Sequence, residues 1–308
     1  MKIPFLVLLA AGCFVLLFVG GPDVGSVRSF KYAWNLGHII GFGLWTYLLL
    51  KFWDRLAHKS FWRQCLLMVV VTLVFGGMIE VAQYGPRRTP DLGDMTRNVI
   101  GAQLALAYFS SARYQIKLRS LRWYQVVLGG LACLQLVPVA LALTDEYLAR
   151  RQFPLLAGFE SPLETSRWGG GAAFARDRRF AENGDYSLRI DLQTTTYSGV
   201  SLNYFPSNWS DYKYLQFALF NPANKGLKVT CRIHDALHAA NELRYSDRFN
   251  RSYSLAPGWN AIRIPLAEVA AAPRTRTMDL HTVEDFSIFA VRLQQPQTLY
   301  LDNVRLES

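Results

Sequence analysis

Five apolar runs dominate the first half of the chain. They extend over residues 3–20, 32–53, 65–83, 98–112 and 123–143. Most of them approach the ~20 residues that a membrane-spanning helix requires, and the fourth is the shortest. The first run follows Met1 and Lys2 as the core of a signal peptide would, but it continues as "FVLLFVGG" after Cys13, which favours an uncleaved helix. The pattern therefore predicts an α-helical transmembrane bundle of about five spans over residues 1–143.

Alternating apolar and polar positions replace the long runs from about Leu155 onward. In "LKVTCRIH", which begins at Leu227, every second residue is apolar, and "SLRIDL", "YLQFALF" and "NAIRIPL" alternate likewise. Turn sequences such as "ENGD" and "APGW" separate these stretches. About nine or ten short strands predict an all-β antiparallel jelly-roll sandwich over residues 155–308. The intervening residues 144–154, "TDEYLARRQFP", are predicted to form a short linker at the membrane surface.

The basic excess of the chain lies between the apolar runs. The net charge is +8 up to residue 150 and +2 beyond it. Residues 51–63 and 112–122 are rich in Lys and Arg, which predicts two cytoplasmic loops. With five spans, the N-terminus is then cytoplasmic, and the loop at 84–97 and the second domain lie on the outer side of the membrane. No basic face with interleaved aromatic residues is present in the second half, which argues against nucleic-acid binding.

Cysteine usage and short motifs exclude several kinds of site. Cys13, Cys65 and Cys133 lie in apolar runs and Cys231 stands apart in the second half, so no disulfide framework is predicted. The cysteines leave the compartment open. No zinc-ligand spacing, phosphate-binding loop or nucleophile elbow is found in the sequence.

Polar and ionisable residues concentrate near the outer ends of three apolar runs. Lys31, Asn35 and His38 are spaced i, i+4, i+7 and would share one helical stripe. An ionisable group within a span is costly unless it has a partner or faces water, so such a cluster indicates function by default. Three interpretations stay open: an ion-paired cluster that sets helix register, a ligand or headgroup site, and acid/base catalysis. The predicted polar cluster comprises Lys31, Asn35, His38, Glu80, Gln83, Arg88, Asp91, Asp94 and Asn98.

The order of these residues resembles that of the VanZ-like membrane protein family. Over residues 28–112 the chain contains His38 and then the pattern E-x-x-Q-x4-R-x-x-D-x-x-D-x3-N-x-x-G, from Glu80 to Gly101. That family is named for a protein associated with low-level resistance to the glycopeptide antibiotic teicoplanin. The resemblance implies a cell-envelope role and supplies no reaction. A fifth span and a large second domain are departures from the compact family pattern.

The second domain resembles carbohydrate-binding modules with the galactose-binding-like jelly-roll fold. The residues that carry this resemblance are "GFE", "YSLRIDL", "GWNAIRIPL" and the closing "LYLDNVRL". In such modules aromatic rings stack on sugars, and charged or amide groups bind hydroxyls. The resemblance also implies a possible structural calcium at Glu160 and Asp302, since hard oxygen ligands suit that ion. The glycan-binding candidates are Tyr212, Tyr214, Arg232, His234, Asp235, Tyr245 and Arg248.

The sequence favours a non-catalytic envelope protein. The sandwich would bind a glycan, and the helical cluster would receive a polar group of a membrane lipid or lipid-linked glycan. The alternative is a membrane enzyme that acts on a lipid-linked glycan or a phospholipid headgroup, with Glu80 or Asp94 as base and His38 as proton shuttle. No cofactor is required by either hypothesis, and transport is disfavoured because five spans with one cluster make a small pathway. The oligomeric state stays open.

Overall fold

The chain divides into two compact units, Met1–Ala142 and Leu143–Ser308. The computed structural model describes residues 8–9, 11–12, 27–83, 92–240 and 242–308, without the side chains of residues 80–83, 239 and 240. The division lies next to the domain boundary expected from the change of periodicity. Each unit is described by itself below.

Helices form the first unit. From the N-terminal side of its described part they are α1 (Arg28–Asn35), α2 (Gly37–Phe52), α3 (Asp54–Ala57), α4 (Phe61–Gln83), α5 (Leu92–Phe109), α6 (Leu118–Leu134) and the start of α7 (Val137–Gln152), with a 3-10 turn at Ser111–Gln115 between α5 and α6.

Two helical stretches of the described chain, Phe61–Ile79 and Leu118–Gln152, are long and apolar enough to cross a membrane. Their mean hydropathies are 1.7 and 2.3. Helix α2 has 16 residues, fewer than the ~20 that span a bilayer without thinning it. The structure therefore supports an apolar helical unit, whereas the count of about five spans remains a hypothesis.

Helices α2 and α5 pack closely through glycines. A Cβ atom at Gly101 would lie 2.2 Å from the carbonyl oxygen of Ile39, and one at Gly43 would lie 3.2 Å from the carbonyl oxygen of Gly101. Small residues allow helix backbones to approach in this way. The approach brings the N-terminal end of α2 against the N-terminal half of α5, where the polar cluster lies.

Three element boundaries differ from the sequence prediction. The run at 32–53 is divided at Leu36, between α1 and α2. Helix α5 begins at Leu92 rather than near Asn98, and Asp94 lies in its first turn, where the helix dipole stabilises a carboxylate. The linker expected at 144–154 is helical as far as Gln152.

One polar residue of that expected linker, Asp145, is buried in an ion pair. Asp145 is 2% exposed, and its carboxylate accepts hydrogen bonds from Nε and Nη2 of Arg167 at 3.0 and 2.9 Å. Arg167 also donates to the carbonyl oxygen of Leu156. Asp145 is therefore held in a buried ion pair by a partner 22 residues away along the chain.

Strands form most of the second unit. They are β1 (Leu155–Ala157), β2 (Trp168–Gly170), β3 (Ala173–Asp177), β4 (Ser187–Leu192), β5 (Tyr197–Leu202), β6 (Tyr214–Asn221), β7 (Leu227–Asp235), β8 (Phe249–Leu255), β9 (Gly258–Pro265), β10 (Val283–Val291) and β11 (Gln297–Glu307). Short helices α8 (Leu237–Ala240) and α9 (Leu266–Ala270) and the 3-10 turns Pro162–Arg167 and Tyr245–Asp247 lie between them.

The strands make two antiparallel sheets around one core. One sheet has six strands in the order β3-β4-β11-β6-β9, with β1 also paired to β11, and the other has five in the order β2-β5-β10-β7-β8. Side chains from both sheets form the core, including the buried rings of Phe217 and Phe286, whose centroids lie 5.2 Å apart. The prediction of an antiparallel β-sandwich is confirmed.

Candidate functional site

Polar candidates on β7 lie on the outward face of the five-stranded sheet. Because side chains alternate along a strand, Cys231 and Ile233 are buried in the core while Arg232 and His234 face away from it. Strand β10 pairs with β7 on one side and with β5 on the other. This register places Ser287 opposite both Arg232 and Ser201. We call this surface the outer face.

A hydrogen-bonded network centred on Asp285 forms the floor of the outer face. Oδ2 of Asp285 accepts from Nε of Arg232 at 3.1 Å and from the Ser287 hydroxyl at 2.6 Å. The Ser287 hydroxyl accepts from Nη2 of Arg232 at 3.0 Å and shares a 2.7 Å hydrogen bond with Ser201. Asp285 is 7% exposed, so Arg232 is held rigidly by a nearly buried carboxylate.

His234 lies beside this network as a neutral imidazole. Its Nδ1 lies 3.6 Å from Oδ2 of Asp285, which is too long for a hydrogen bond, and its ring centroid is 4.6 Å from that of His238. Burial lowers the pKa of His234 to about 4, and the attraction of Asp285 offsets only part of this effect. The buried Nδ1 has no hydrogen-bond partner among the described residues.

Two side chains next to Arg232 also hold unsatisfied polar atoms. Asn250 pairs opposite Arg232 on β8, and both its side-chain nitrogen and oxygen are buried without a partner in the described part of the chain. Nε of Arg248, the residue before β8, is in the same condition. Burial lowers the pKa of Arg248, as does the charge of Arg232. Unsatisfied buried groups of this kind are costly and call for a partner.

Exposed aromatic rings border the polar floor. Tyr197 is 66% exposed on β5, with the ring of Phe289 at a centroid distance of 5.8 Å. Tyr245 is 71% exposed, and the Arg248 guanidinium lies 5.4 Å from its ring centroid. The hydroxyl groups of Tyr245 and Tyr197, with the carboxylate of Asp285, partly offset the lowering of the Arg248 pKa, so all three lie near its guanidinium. The outer face therefore combines two open aromatic surfaces with polar groups between them.

Four of the seven glycan-binding candidates lie together at the outer face, and the other three lie elsewhere in the second unit. Arg232, His234, Arg248 and Tyr245 gather at the outer face, as described above. Tyr214 lies on β6 of the other sheet, under the Arg263 guanidinium at 3.5 Å, and Tyr212 packs edge-on against Phe153. Asp235 is fully buried, and both of its carboxylate oxygens accept hydrogen bonds from Arg276. Asp235 thus belongs to a structural ion pair and offers no free oxygen to a ligand.

Several residues of the outer face were missed from the sequence. Alternation in "YSGVSL" and "DFSIFAV" does predict which of their residues face outward. It does not show that β5, β7, β8 and β10 are neighbours, because that pairing is set by the fold. The missed residues are Tyr197, Ser201, Asn250, Asp285, Ser287 and Phe289.

Glu160 and Asp302, the two possible calcium ligands, accept hydrogen bonds from backbone amides of one loop, residues 182–186. Oε1 of Glu160 accepts from the backbone amides of Asp185 and Tyr186 at 2.9 and 3.0 Å. Oδ2 of Asp302 accepts from the amides of Glu182 and Asn183 at 2.7 and 3.0 Å. Amide hydrogens therefore face both carboxylates, whereas a cation requires carbonyl or carboxylate oxygens.

The described residues contain no group of three or more His, Cys, Asp or Glu side chains suited to a metal ion. The contacts of Glu160 and Asp302 suit a role in holding residues 182–186 in place better than they suit calcium binding. Burial raises the pKa of Asp302, although three backbone amides donate to its carboxylate.

We expect the stability of the second unit to be the same in calcium and in chelator. Asp302→Asn should lower the melting temperature under both conditions, because it exchanges a charge-assisted acceptor of three backbone amides for an uncharged amide group. Thermal unfolding of the full-length protein in detergent measures this. A rise of the wild-type melting temperature with calcium that Asp302→Asn abolishes would instead establish a metal site, since a ligand that binds the native state stabilises it.

In the helical unit, three residues of the predicted polar cluster meet. Nδ1 of His38 lies 2.9 Å from Oδ1 of Asn98, and its Nε2 lies 3.5 Å from Oδ2 of Asp94. Nη1 of Arg97 lies 2.6 Å from Oδ1 of Asp94. A Cβ atom at Gly76 would lie 2.8 Å from the Asn98 side-chain nitrogen, so α4 also packs closely here. His38, Asp94 and Asn98 are all buried.

Of the other six members of the predicted cluster, two lie on a neighbouring helix and four lie partly or wholly outside the described residues. Lys31 and Asn35 lie on α1, which ends before the helix of His38 begins. Glu80 and Gln83 lie in the last turns of α4, and their side chains are outside the described residues. Arg88 and Asp91 lie outside the described residues altogether.

Comparisons with known proteins concern the β-sandwich. No protein-family model and no curated protein matches the chain. The chain is similar to the family 11 carbohydrate-binding module from Clostridium thermocellum in complex with a β-1,3-1,4-mixed-linked tetrasaccharide, with 17% identity over 50% of this chain and 94% of the module and a TM-score of 0.39.

Two further solved structures have similar values. A family 28 carbohydrate-binding module specific for non-crystalline cellulose is 11% identical over 51% of this chain and 93% of the module, with a TM-score of 0.38. An exo-β-agarase is 15% identical over 50% of this chain and 24% of the enzyme, with a TM-score of 0.39. The matched modules correspond to the C-terminal half of this chain.

Proposed function

We propose that the outer face of the five-stranded sheet binds a glycan. The observation that carries this proposal is the pair of exposed rings, Tyr197 and Tyr245, beside a nearly buried polar network. The C–H faces of a sugar ring stack on tyrosine, and its hydroxyls can both donate and accept hydrogen bonds. A sugar bound here would supply partners to the unsatisfied atoms of Asn250 and His234.

Preorganisation favours binding over chemistry at this face. Arg232 is fixed by Asp285 and Ser287, so little side-chain entropy is lost when a ligand binds it. Asp285 accepts from both of these side chains, which leaves no carboxylate of the network poised to transfer a proton. A non-catalytic binding module is therefore the preferred function of the second unit.

Full-length protein in detergent tests the proposal against a broad glycan array. Tyr197→Ala and Tyr245→Ala should each weaken binding about tenfold, since a stacked ring contributes about 1 kcal/mol or more. Tyr214→Ala, on the other sheet, should leave binding unchanged. Binding that is lost in Tyr214→Ala and retained in the Tyr197→Ala,Tyr245→Ala double variant would move the site to the other sheet.

We further propose that the first unit anchors the chain in the inner membrane of a bacterium as a VanZ-like transmembrane domain. Two long apolar helices and the basic loops at 51–63 and 112–122 support about five spans, a cytoplasmic N-terminus and an extracytoplasmic sandwich. The VanZ-like motif supports a link to glycopeptide antibiotic susceptibility. A reporter that is active only in the cytoplasm, fused after Ser308, should be inactive; an active fusion would contradict this topology.

A second candidate function is a membrane enzyme or headgroup-binding site built on His38 and Asp94. The contact of His38 with both Asp94 and Asn98 supports it, because a carboxylate and an amide fix the orientation of the imidazole. Asp94 would hold His38 for proton transfer to or from a lipid-linked glycan or phospholipid headgroup, and Glu80 would be the second carboxylate.

Envelope lipid and glycan profiles of a deletion strain decide between the two candidates. If the helical cluster is catalytic, the deletion strain should accumulate a precursor. The Asp94→Asn variant, produced in that strain at wild-type protein levels, should not remove the precursor. Thr96→Ala, at an exposed position on the same helix, serves as the matched control. Unchanged lipid and glycan chemistry in the deletion strain would exclude the enzyme.

A further inference from the structure

Cations outnumber carboxylates on the outer face. Among the described residues, Lys228, Arg232 and Arg248 face outward on β7 or beside β8, and Asp285 is the carboxylate in the same rows. Glu284 lies at an irregularity at the start of β10, where its pairing with β7 shifts. Since His234 is neutral above about pH 4, it adds no positive charge near neutrality. With Glu284 set aside, these outward-facing positions therefore carry two more positive charges than negative ones.

The two arginines differ in how their charge is compensated. Nε and Nη2 of Arg232 both lie within 3.1 Å of Oδ2 of Asp285, so this pair is close to neutral. Arg248 has no carboxylate within 4.0 Å of its guanidinium among the described residues, and its Nε is buried without a partner. Its ring contact with Tyr245 stabilises a cation only weakly at an exposed site.

A partly buried guanidinium that no carboxylate contacts directly is destabilising until an anion pairs with it. The lowered pKa of Arg248 agrees with this, because burial and the like charge of Arg232 both disfavour its charged form. A guanidinium pairs with a carboxylate or sulfate through two parallel hydrogen bonds, which makes it selective for such groups. The Asn250 amide, on the same edge of the sheet, offers a further donor.

We infer that the ligand of the outer face is an acidic glycan whose anionic substituent pairs with Arg248. This inference rests on the proposed glycan-binding function and names its substrate class. Tyr197 and Tyr245 would stack on neighbouring sugar rings while Arg248, within electrostatic range of both, receives the negative charge. Asp285 keeps Arg232 in place and repels an anion from the far side of the network.

The test uses full-length protein in detergent and two matched pairs of polymers. Polygalacturonate and its fully methyl-esterified form differ in the carboxylate, and a sulfated galactan and its desulfated form differ in the sulfate. The charged member of at least one pair should bind about tenfold or more tightly than its neutral partner. The pair that shows the preference identifies the anionic group, and raising the NaCl concentration should reduce that preference.

Variants assign the preference to one residue. Arg248→Gln should make the charged and neutral members of the pair bind equally, and Arg248→Lys should retain part of the preference, because lysine keeps the charge and loses the paired hydrogen bonds. Arg263→Gln, on the other sheet, should retain all of it. Unchanged far-ultraviolet circular dichroism and melting temperature show that each variant is folded.

Three outcomes would overturn the inference. Equal binding of charged and neutral polymers that Tyr197→Ala weakens would refute the acidic ligand and leave the glycan-binding function standing. A preference for charge that survives in Arg248→Gln would refute the role of this residue. Binding of none of the four polymers would overturn both the inference and the proposed function.

Discussion

Replacing Arg276 with methionine is expected to lower the free energy of unfolding of the second unit by about 3–5 kcal/mol, the usual effect of removing one partner of a buried ion pair. Nη1 and Nη2 of Arg276 donate to both oxygens of Asp235 at 2.5 and 2.7 Å. Nε and Nη2 also donate to Asp247 at 2.7 and 2.8 Å. Asp235 is 0% and Asp247 4% exposed, so the variant leaves two buried carboxylates without their cation.

The destabilisation caused by this substitution should be largest near neutral pH and smaller in acid. Burial by itself would raise the pKa of Asp235, yet hydrogen bonds from Arg276 and from the Asp279 amide hold that pKa below its usual value. A lowered carboxylate pKa contributes stability above the pKa of the unfolded state and loses it as the pH falls through the folded-state pKa. Without Arg276 the pKa of Asp235 rises, so this carboxylate loses less stability as the pH falls, and the difference in stability between wild type and variant should narrow in acid.

Hydrogen exchange at the amides of β6 and β10 measures this loss, because core strands open only when the whole unit unfolds. Arg251→Met is the matched control, since the Arg251–Glu268 pair is exposed and should contribute about 0–1 kcal/mol. Equal exchange rates in the two variants would show that the Arg276 ion pairs contribute no more to stability than a surface pair.

Gly101→Ala is expected to destabilise the helical unit by about 1–3 kcal/mol or more, the range of an overpacked core. The added Cβ would lie 2.2 Å from the backbone oxygen of Ile39, and backbone cannot rotate away as a side chain can. Helix α2 would have to move from α5, which would also separate His38 from Asn98.

Gly129→Ala on α6 provides the control, because no atom from another described part of the chain lies within 4 Å of its added Cβ. Alanine is a better helix former than glycine, so this variant should be unchanged or up to about 1 kcal/mol more stable. The temperature at which half of the purified protein loses its monodisperse peak in detergent compares the two. The close packing of α2 and α5 would be refuted if Gly101→Ala were as stable as Gly129→Ala.

The helical cluster shows where sequence reasoning succeeded and where it stopped. Helical spacing and the VanZ-like motif singled out His38, Asp94 and Asn98, which the structure brings together. The same reasoning placed Lys31 and Asn35 on one continuous helix with His38, but the helix is divided at Leu36.

By itself, the sequence determined the properties of this protein that depend on neighbouring residues. Long apolar runs specify helices, and alternation such as that of Cys231 with Arg232 specifies the inner and outer sides of a strand, because both periods are fixed by backbone geometry. Only the tertiary structure decided which strands lie side by side. It placed Ser287 between Ser201 and Arg232, and it buried Asp235 against Arg276 and Asp145 against Arg167. These contacts join residues far apart in the chain, and a local pattern cannot tell a charged residue that faces solvent or a ligand from one that is paired within the fold.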